Sequence, residues 1–174
     1  MKAVNQAAVC NILKLYPKAK TKGFASAVRN YLFKLFDPKD DPDADWAEGL
    51  SDRERRAKLM EMYGETFPPA IRPDLYEIDE EKRLIRLFEI EDTNPLSDAK
   101  LAIIFNWWWE LDCEDLELEL YVSDRYGLNL RKLDLAAFCL HQEFDLPPNA
   151  PGTHAIAAEI GVRFDQTPIP PPAG

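Results

Sequence analysis

The chain has 174 residues, which is one domain by length and enough for a sizeable single core. It is 46% hydrophobic with four Trp and nine Phe, which excludes a disordered chain, and no apolar run approaches the ~20 residues that span a bilayer. The net charge of −10 conceals an asymmetry: residues 1–36 hold Lys2, Lys14, Lys18, Lys20, Lys22, Arg29 and Lys34 and no acid, so residues 37–174 carry −17.

Residues 4–17 read as an amphipathic helix, with Val9, Ile12, Leu13 and Tyr16 at i, i+3, i+4 and i+7. Residues 23–36 repeat the pattern with Phe24, Val28, Tyr31, Leu32 and Leu35. These two segments form a basic helical arm over 1–36. It either docks phosphate or lies on the acidic body and neutralises it. "DPKDDPDAD" at 37–45 is a polar loop punctuated by proline. Ser51 or Asp52 caps a third helix that stops at Gly64, and the prolines of "TFPPAIRP" forbid helix at 66–73. Strands follow at 74–79 and 84–92. A helix over 97–112 then begins at Ser97, with Leu101, Ile104, Phe105, Trp108 and Leu111 on one face. "LELELYVSD" at 116–124 alternates with period two, a strand polar on one side. A last helix is expected at 133–144, and "QTPIPPPAG" at 166–174 is expected to be a mobile tail. The fold class is therefore α/β (α+β), a small mixed sheet with an antiparallel hairpin flanked by helices, in a single domain over 1–165 whose core is 51–145.

The hairpin has a register that satisfies both faces. With the turn over "EEKR", Ile78 meets Ile85 and Tyr76 meets Leu87 on one face, and Glu77 meets Arg86 on the other. A one-residue slip spoils both. The same register sets Asp74 opposite Glu89, with Glu91 two residues on. An apolar face thus ends in three carboxylates, which repel one another and lose solvation unless a hard cation sits between them. Oxygen-only ligands select Mg²⁺, Mn²⁺ or Ca²⁺ over zinc. The bland alternative is a solvated strand end at a sheet edge.

"RPD" at 72–74 and "EIE" at 89–91, on a hairpin leading into a helix and another strand, resemble the PD-(D/E)XK nuclease superfamily. The resemblance covers roughly residues 51–145 by order of elements and implies a restriction-endonuclease-like core. It assigns metal binding to Asp74 and Glu89, with Mg²⁺ (or Mn²⁺) as cofactor. The family's third position is usually Lys and here is Glu91. Some restriction endonucleases of the family carry Glu there, and others place the Lys on the following helix, where Lys100 stands. Glu61 or Glu54 on the preceding helix are candidates to support the site.

Other features carry less. Cys139 and His141 have no second pair at zinc-ligand spacing, and neighbours two apart on a helix do not face each other. Cys10, Cys113 and Cys139 read as reduced thiols in a cytoplasmic protein, and the N-terminal sequence has no signal for secretion. In "NWWWELD" at 106–112, Trp108 is expected in the core and only Trp107 or Trp109 exposed. Arg125 in "SDRYG" either touches phosphate or pairs with an acid. There is no phosphate-cradling Gly-rich loop.

The functional expectation is a metal-dependent nuclease-like domain acting on DNA. Asp74, Glu89 and Glu91 surround Mg²⁺, Lys100 stabilises charge at the scissile phosphate, and Lys18, Lys20, Lys22, Arg29 and Arg125 hold the nucleic acid. The rival is a nuclease-derived fold without activity that acts on a protein partner or as a homodimer. An acidic chain favours the rival, because most nucleic-acid binders are basic. No membrane contact is expected.

Overall fold

The computed structural model describes residues 3–92 and 96–136. Helix α1 spans Ala3–Leu15, α2 Phe24–Phe36 and α3 Asp52–Tyr63. Strands β1 (Leu75–Asp79) and β2 (Leu84–Ile90) form the hairpin, α4 is Asp98–Cys113, and β3 (Glu117–Ser123) and β4 (Arg131–Leu133) complete the sheet. The strand order is β1-β2-β3-β4, with β2 and β3 parallel and both outer pairs antiparallel. A parallel pair needs a long crossover, and α4 supplies it.

Local chemistry fixes where the helices begin. Ser51 caps α3, its hydroxyl accepting from the Glu54 amide while it donates to the Glu54 carboxylate. Ser97 caps α4 by accepting from the Lys100 amide. Arg55, buried inside α3, ties the helix to the preceding loop through Asp37, Asp52 and the Leu50 carbonyl.

The hairpin has the register that the sequence predicts: Tyr76 opposite Leu87, Glu77 opposite Arg86, Ile78 opposite Ile85. Its period of two divides the sheet into two buried faces. Tyr76, Ile85, Leu87, Leu118, Leu120, Val122 and Leu133 form one face, against α2, α3 and α4. Leu75, Phe88 and Tyr121 lie on the other, against Ile12, Tyr16 and Ala19 of α1 and the chain just after it. Tyr16 packs its ring against both Phe88 and Tyr121, at 4.9 and 5.6 Å, and those two stack on each other at 5.2 Å. Each large apolar side chain removed from water here contributes about 1.5–3 kcal/mol.

Several boundaries differ from the expectations. β2 ends at Ile90 rather than 92, and α1 at Leu15 rather than 17. β3 carries Glu117 and Glu119 on one side, as its alternation predicts, but beyond Glu117 that side is covered rather than solvated. It lies between β2 and β4, and Leu118, Leu120, Tyr121, Val122 and Ser123 are all buried. β4 was not foreseen, and Leu133, expected in a helix, closes it. A three-residue strand has no period of its own and is defined by its partner. The remainder of the expected helix beyond residue 136, with Cys139 and His141, and the 166–174 tail lie outside the described residues. Trp107 is the buried member of the tryptophan run, at 2% exposure, while Trp108 is half-buried and Trp109 exposed. Trp107 Nε1 donates to the Thr66 carbonyl at 2.8 Å, so the proline-rich segment before β1 decides which indole turns inward.

Candidate functional site

The site lies where the carboxyl end of β2 meets the start of α4. Asp74 just precedes β1, and its Oδ2 accepts from the Ile90 amide at 2.7 Å. The aspartate thereby closes the open end of the hairpin with its side chain instead of its backbone. Glu89 shares the face of Leu87 and is buried, its side chain 8% exposed. Its Oε1 stands 2.6 Å from Lys100 Nζ, an ion pair whose angle falls outside hydrogen-bond geometry. Lys100 Nζ also donates to the Arg72 carbonyl at 2.9 Å. The Ser97 cap fixes the helix start, and the helix start in turn sets Lys100 beside Glu89.

Burial pushes the Glu89 carboxyl up to about 7, the neighbouring Asp74 adds to the rise, and Lys100 opposes it without cancelling it. Asp74 is exposed, so the group held at a disadvantage here is the buried Glu89, its charged form disfavoured by lost solvation. That is the electrostatic condition a bound cation relieves.

Glu91 does not join the pair. Its Oε2 accepts from the Leu96 amide at 2.7 Å, tying the strand end to the approach of α4, and its own amide donates to the Ser123 carbonyl. Among the described residues no group of three or more His, Cys, Asp or Glu side chains is arranged to hold a metal ion. The expected convergence of three carboxylates is therefore corrected to a pair, Asp74 and Glu89, with Lys100. The cause is the Leu96 amide, which takes up one Glu91 oxygen. Glu54 and Glu61 stand exposed on α3, engaged with Ser51 and Lys58 respectively.

The basic arm reaches the same end of the sheet. Lys20 forms a two-way backbone bridge with Tyr76, at 2.8 and 2.9 Å, on the outer edge of β1 and two residues from Asp74. Lys18, Lys20, Lys22 and Arg29 are exposed and make no salt bridge among the described residues. Lys34 does reach the acidic body, at Glu80, through a 3.5 Å contact between exposed side chains. Arg125 lies in the loop after β3, exposed, with its guanidinium over the Tyr126 ring rather than on an acid. Because β2 and β3 are parallel, that loop and Glu89 occupy the same end of the sheet. A cavity of about 500 Å³ lies there, between Glu91 on one side and Asp124, Asn129 and Arg131 on the other. "SDRYG" pointed to this loop, whereas Asn129, Arg131 and the Arg72 carbonyl have no signal in the sequence beyond "RPD" for the last.

Comparison with protein-family models, with curated protein sequences and with solved structures found no match to this chain. No described helix is long and apolar enough to cross a membrane.

Proposed function

We propose that the protein is a metal-dependent nuclease-like hydrolase of DNA phosphodiester bonds, built on a restriction-endonuclease-like core. The observation that carries this reading is the buried Glu89, paired with Lys100 beside Asp74 at the carboxyl end of a strand. Mg²⁺ is commonly held by one or two carboxylates and keeps several waters, so the Asp74–Glu89 pair fits Mg²⁺ or Mn²⁺ without a third acid. When bound, the ion would polarise the phosphodiester and lower the pKa of a water. Lys100, anchored on the Arg72 carbonyl, holds Glu89 in place and brings positive charge to a substrate phosphate. Glu91 has one oxygen outside its bond to Leu96, which suits it to orient a water. Lys20 and Lys22, beside Tyr76 at the same end of the sheet, supply charge for the nucleic-acid backbone, with Lys18 and Arg29 as further exposed cations of the arm.

A second reading keeps the fold and drops the chemistry, leaving a module for a protein partner or a second copy of the chain. The bond from Leu96 to Glu91 favours it, because it spends a carboxylate that a metal centre would use.

Plasmid and linear duplex DNA, together with single-stranded DNA, incubated with Mg²⁺, Mn²⁺ or EDTA separate the two. Cleavage is expected with either metal and not with EDTA. Asp74→Asn, which keeps the acceptor for Ile90, and Glu89→Gln are each expected to lower it by a hundredfold or more, on the order of one lost electrostatic contact in a transition state. Metal should also raise the melting temperature, by the equivalent of about 2.7 kcal/mol at one hundred times Kd. No cleavage, with melts identical in Mg²⁺ and in sodium of matched ionic strength, would sink the hydrolase reading.

A further inference from the structure

The loop after β3 is built more rigidly than a connection requires. Asp124 Oδ1 accepts from the amides of Tyr126, Leu128 and Asn129, at 3.2, 2.9 and 3.5 Å, and its Oδ2 accepts from the Asn129 side chain at 2.9 Å. From the other side α1 clamps it: Asn11 donates its side-chain amide to the Tyr126 carbonyl at 2.8 Å. Gly127, at φ +71, presses so closely on the Ala8 backbone that a Cβ would collide with it. A loop fixed from two sides still leaves Tyr126 47% exposed and Leu128 69% exposed. Packing does not account for those side chains, since burying them would stabilise the fold. The nearby charge is positive: Arg125 lies 5.1 Å from the centre of the Tyr126 ring, and Lys14 contacts Asn11. The Asp124 carboxylate is spent within the loop. A half-exposed aromatic ring carried on an immobilised backbone beside cations is complementary to a base attached to its phosphate.

We propose that Tyr126, backed by Arg125, is a stacking platform for an unpaired base, and that the DNA handled at the Asp74–Glu89 end of the sheet is single-stranded or locally opened. The proposal rests on the hydrolase reading for its substrate and on the loop for its specificity. A duplex hides its base faces in the stack, so such a platform gains little from intact double-stranded DNA.

The test is fluorescence anisotropy with the full chain and no divalent metal, using a fluorescein-labelled oligothymidylate and a duplex of equal length. Binding to the oligothymidylate should be the tighter. Tyr126→Ala should weaken it by about 5–150-fold, the equivalent of 1–3 kcal/mol of stacking, and leave duplex binding unchanged. Tyr126→Phe should bind as the wild type, whereas Tyr126→Leu, apolar but without a π face, should resemble the alanine variant. Arg125→Gln should lower the salt slope on the single strand by about 0.7 for one lost phosphate contact. The Asn11 bond uses the Tyr126 backbone, so these variants keep the clamp, and a melt for each verifies it. Equal single-strand binding by wild type and Tyr126→Ala overturns the platform, as does a wild type that prefers duplex or binds no oligothymidylate. Binding as expected without cleavage in Mg²⁺ or Mn²⁺ would instead remove the hydrolase reading and leave the platform standing.

Discussion

Two glutamates of the same sheet, Glu89 and Glu119, are both withdrawn from water and respond in opposite directions. Burial raises both carboxyls. At Glu89 it wins, because the Lys100 ammonium does not offset it and Asp74 sides with burial. At Glu119 burial loses to the hydrogen bonds from Lys132 and Tyr121 and to the charges of Lys132 and Arg86, and the carboxyl lies below its ordinary range. The partners make the difference. Glu119 sits in an ionic ladder that crosses all four strands on the α1 side of the sheet. Glu77 meets Arg86 at 3.3 Å, Arg86 meets Glu119 at 3.2 Å, and Lys132 meets Glu119 at 2.8 Å. Tyr121 donates its hydroxyl to Glu119, and Arg86 lies over the Tyr16 ring. Asp79 also stands 4.0 Å from Arg86, so the ladder sets two cations against three carboxylates, and what favours the charged form of Glu119 is its own hydrogen bonds and two cations. At the end of β2 burial outweighs the single ammonium, and a carboxyl kept at that disadvantage is more readily understood as a site than as scaffold.

The largest expected effect comes from breaking the ladder at its centre. Arg86→Ala strands the mostly buried Glu77 and leaves Glu119 with Lys132 as its cation, and should cost about 3–5 kcal/mol in urea unfolding at neutral pH. A loss under ~1 kcal/mol would mean the ladder is screened by water and the contrast with Glu89 is overstated. Next in size is Glu89→Gln, with the opposite sign. Unfolded, Glu89 titrates near 4.5; folded, it titrates at about 7. Between those values the folded protein keeps a proton that the unfolded chain has released. Stability is thus fully present below 4.5 and lost as pH rises through 7. The gap corresponds to about 3 kcal/mol by pH 8. The Gln variant should lack this decline and melt higher than wild type at pH 8 while losing cleavage; parallel pH profiles of the two proteins would refute it. Glu119→Gln sharpens the comparison, because its depressed carboxyl makes the wild-type advantage vanish as pH falls and not as it rises. The smallest effect is Lys132→Gln. That side chain is partly solvated, so about 0.5–1 kcal/mol is expected, decreasing with added salt.

The part of this picture that the sequence carried is the hairpin. Alternating apolar residues and one cross-strand charge pair allow a single register, and parity then sets Glu89 on the face of Leu87. Lys100 was equally legible, because a serine cap after Asn94-Pro95 fixes which turn of α4 comes first. Glu91 was not legible, since its partner is the backbone amide of Leu96, which no side-chain pattern announces. The ladder was half legible: Glu77 and Arg86 face each other by register, whereas Glu119 and Lys132 join only through a parallel crossover and a strand too short to show a pattern. Trp107 turned inward for a carbonyl 41 residues away, at Thr66, which helical spacing cannot see.

The two-way bridge between Lys20 and Tyr76 has a consequence for association between molecules. β1 is an outer strand, and an outer strand with free amides and carbonyls is a template for pairing with another chain. Here the chain between α1 and α2 runs along that border and takes both backbone groups of Tyr76. What faces outward beyond it is Lys18, Lys20 and Lys22, and two such borders repel each other on approach. The segment that would hold an anionic ligand therefore also keeps the sheet from growing into its neighbour, and removing its charges risks fibrous self-association as well as weaker binding.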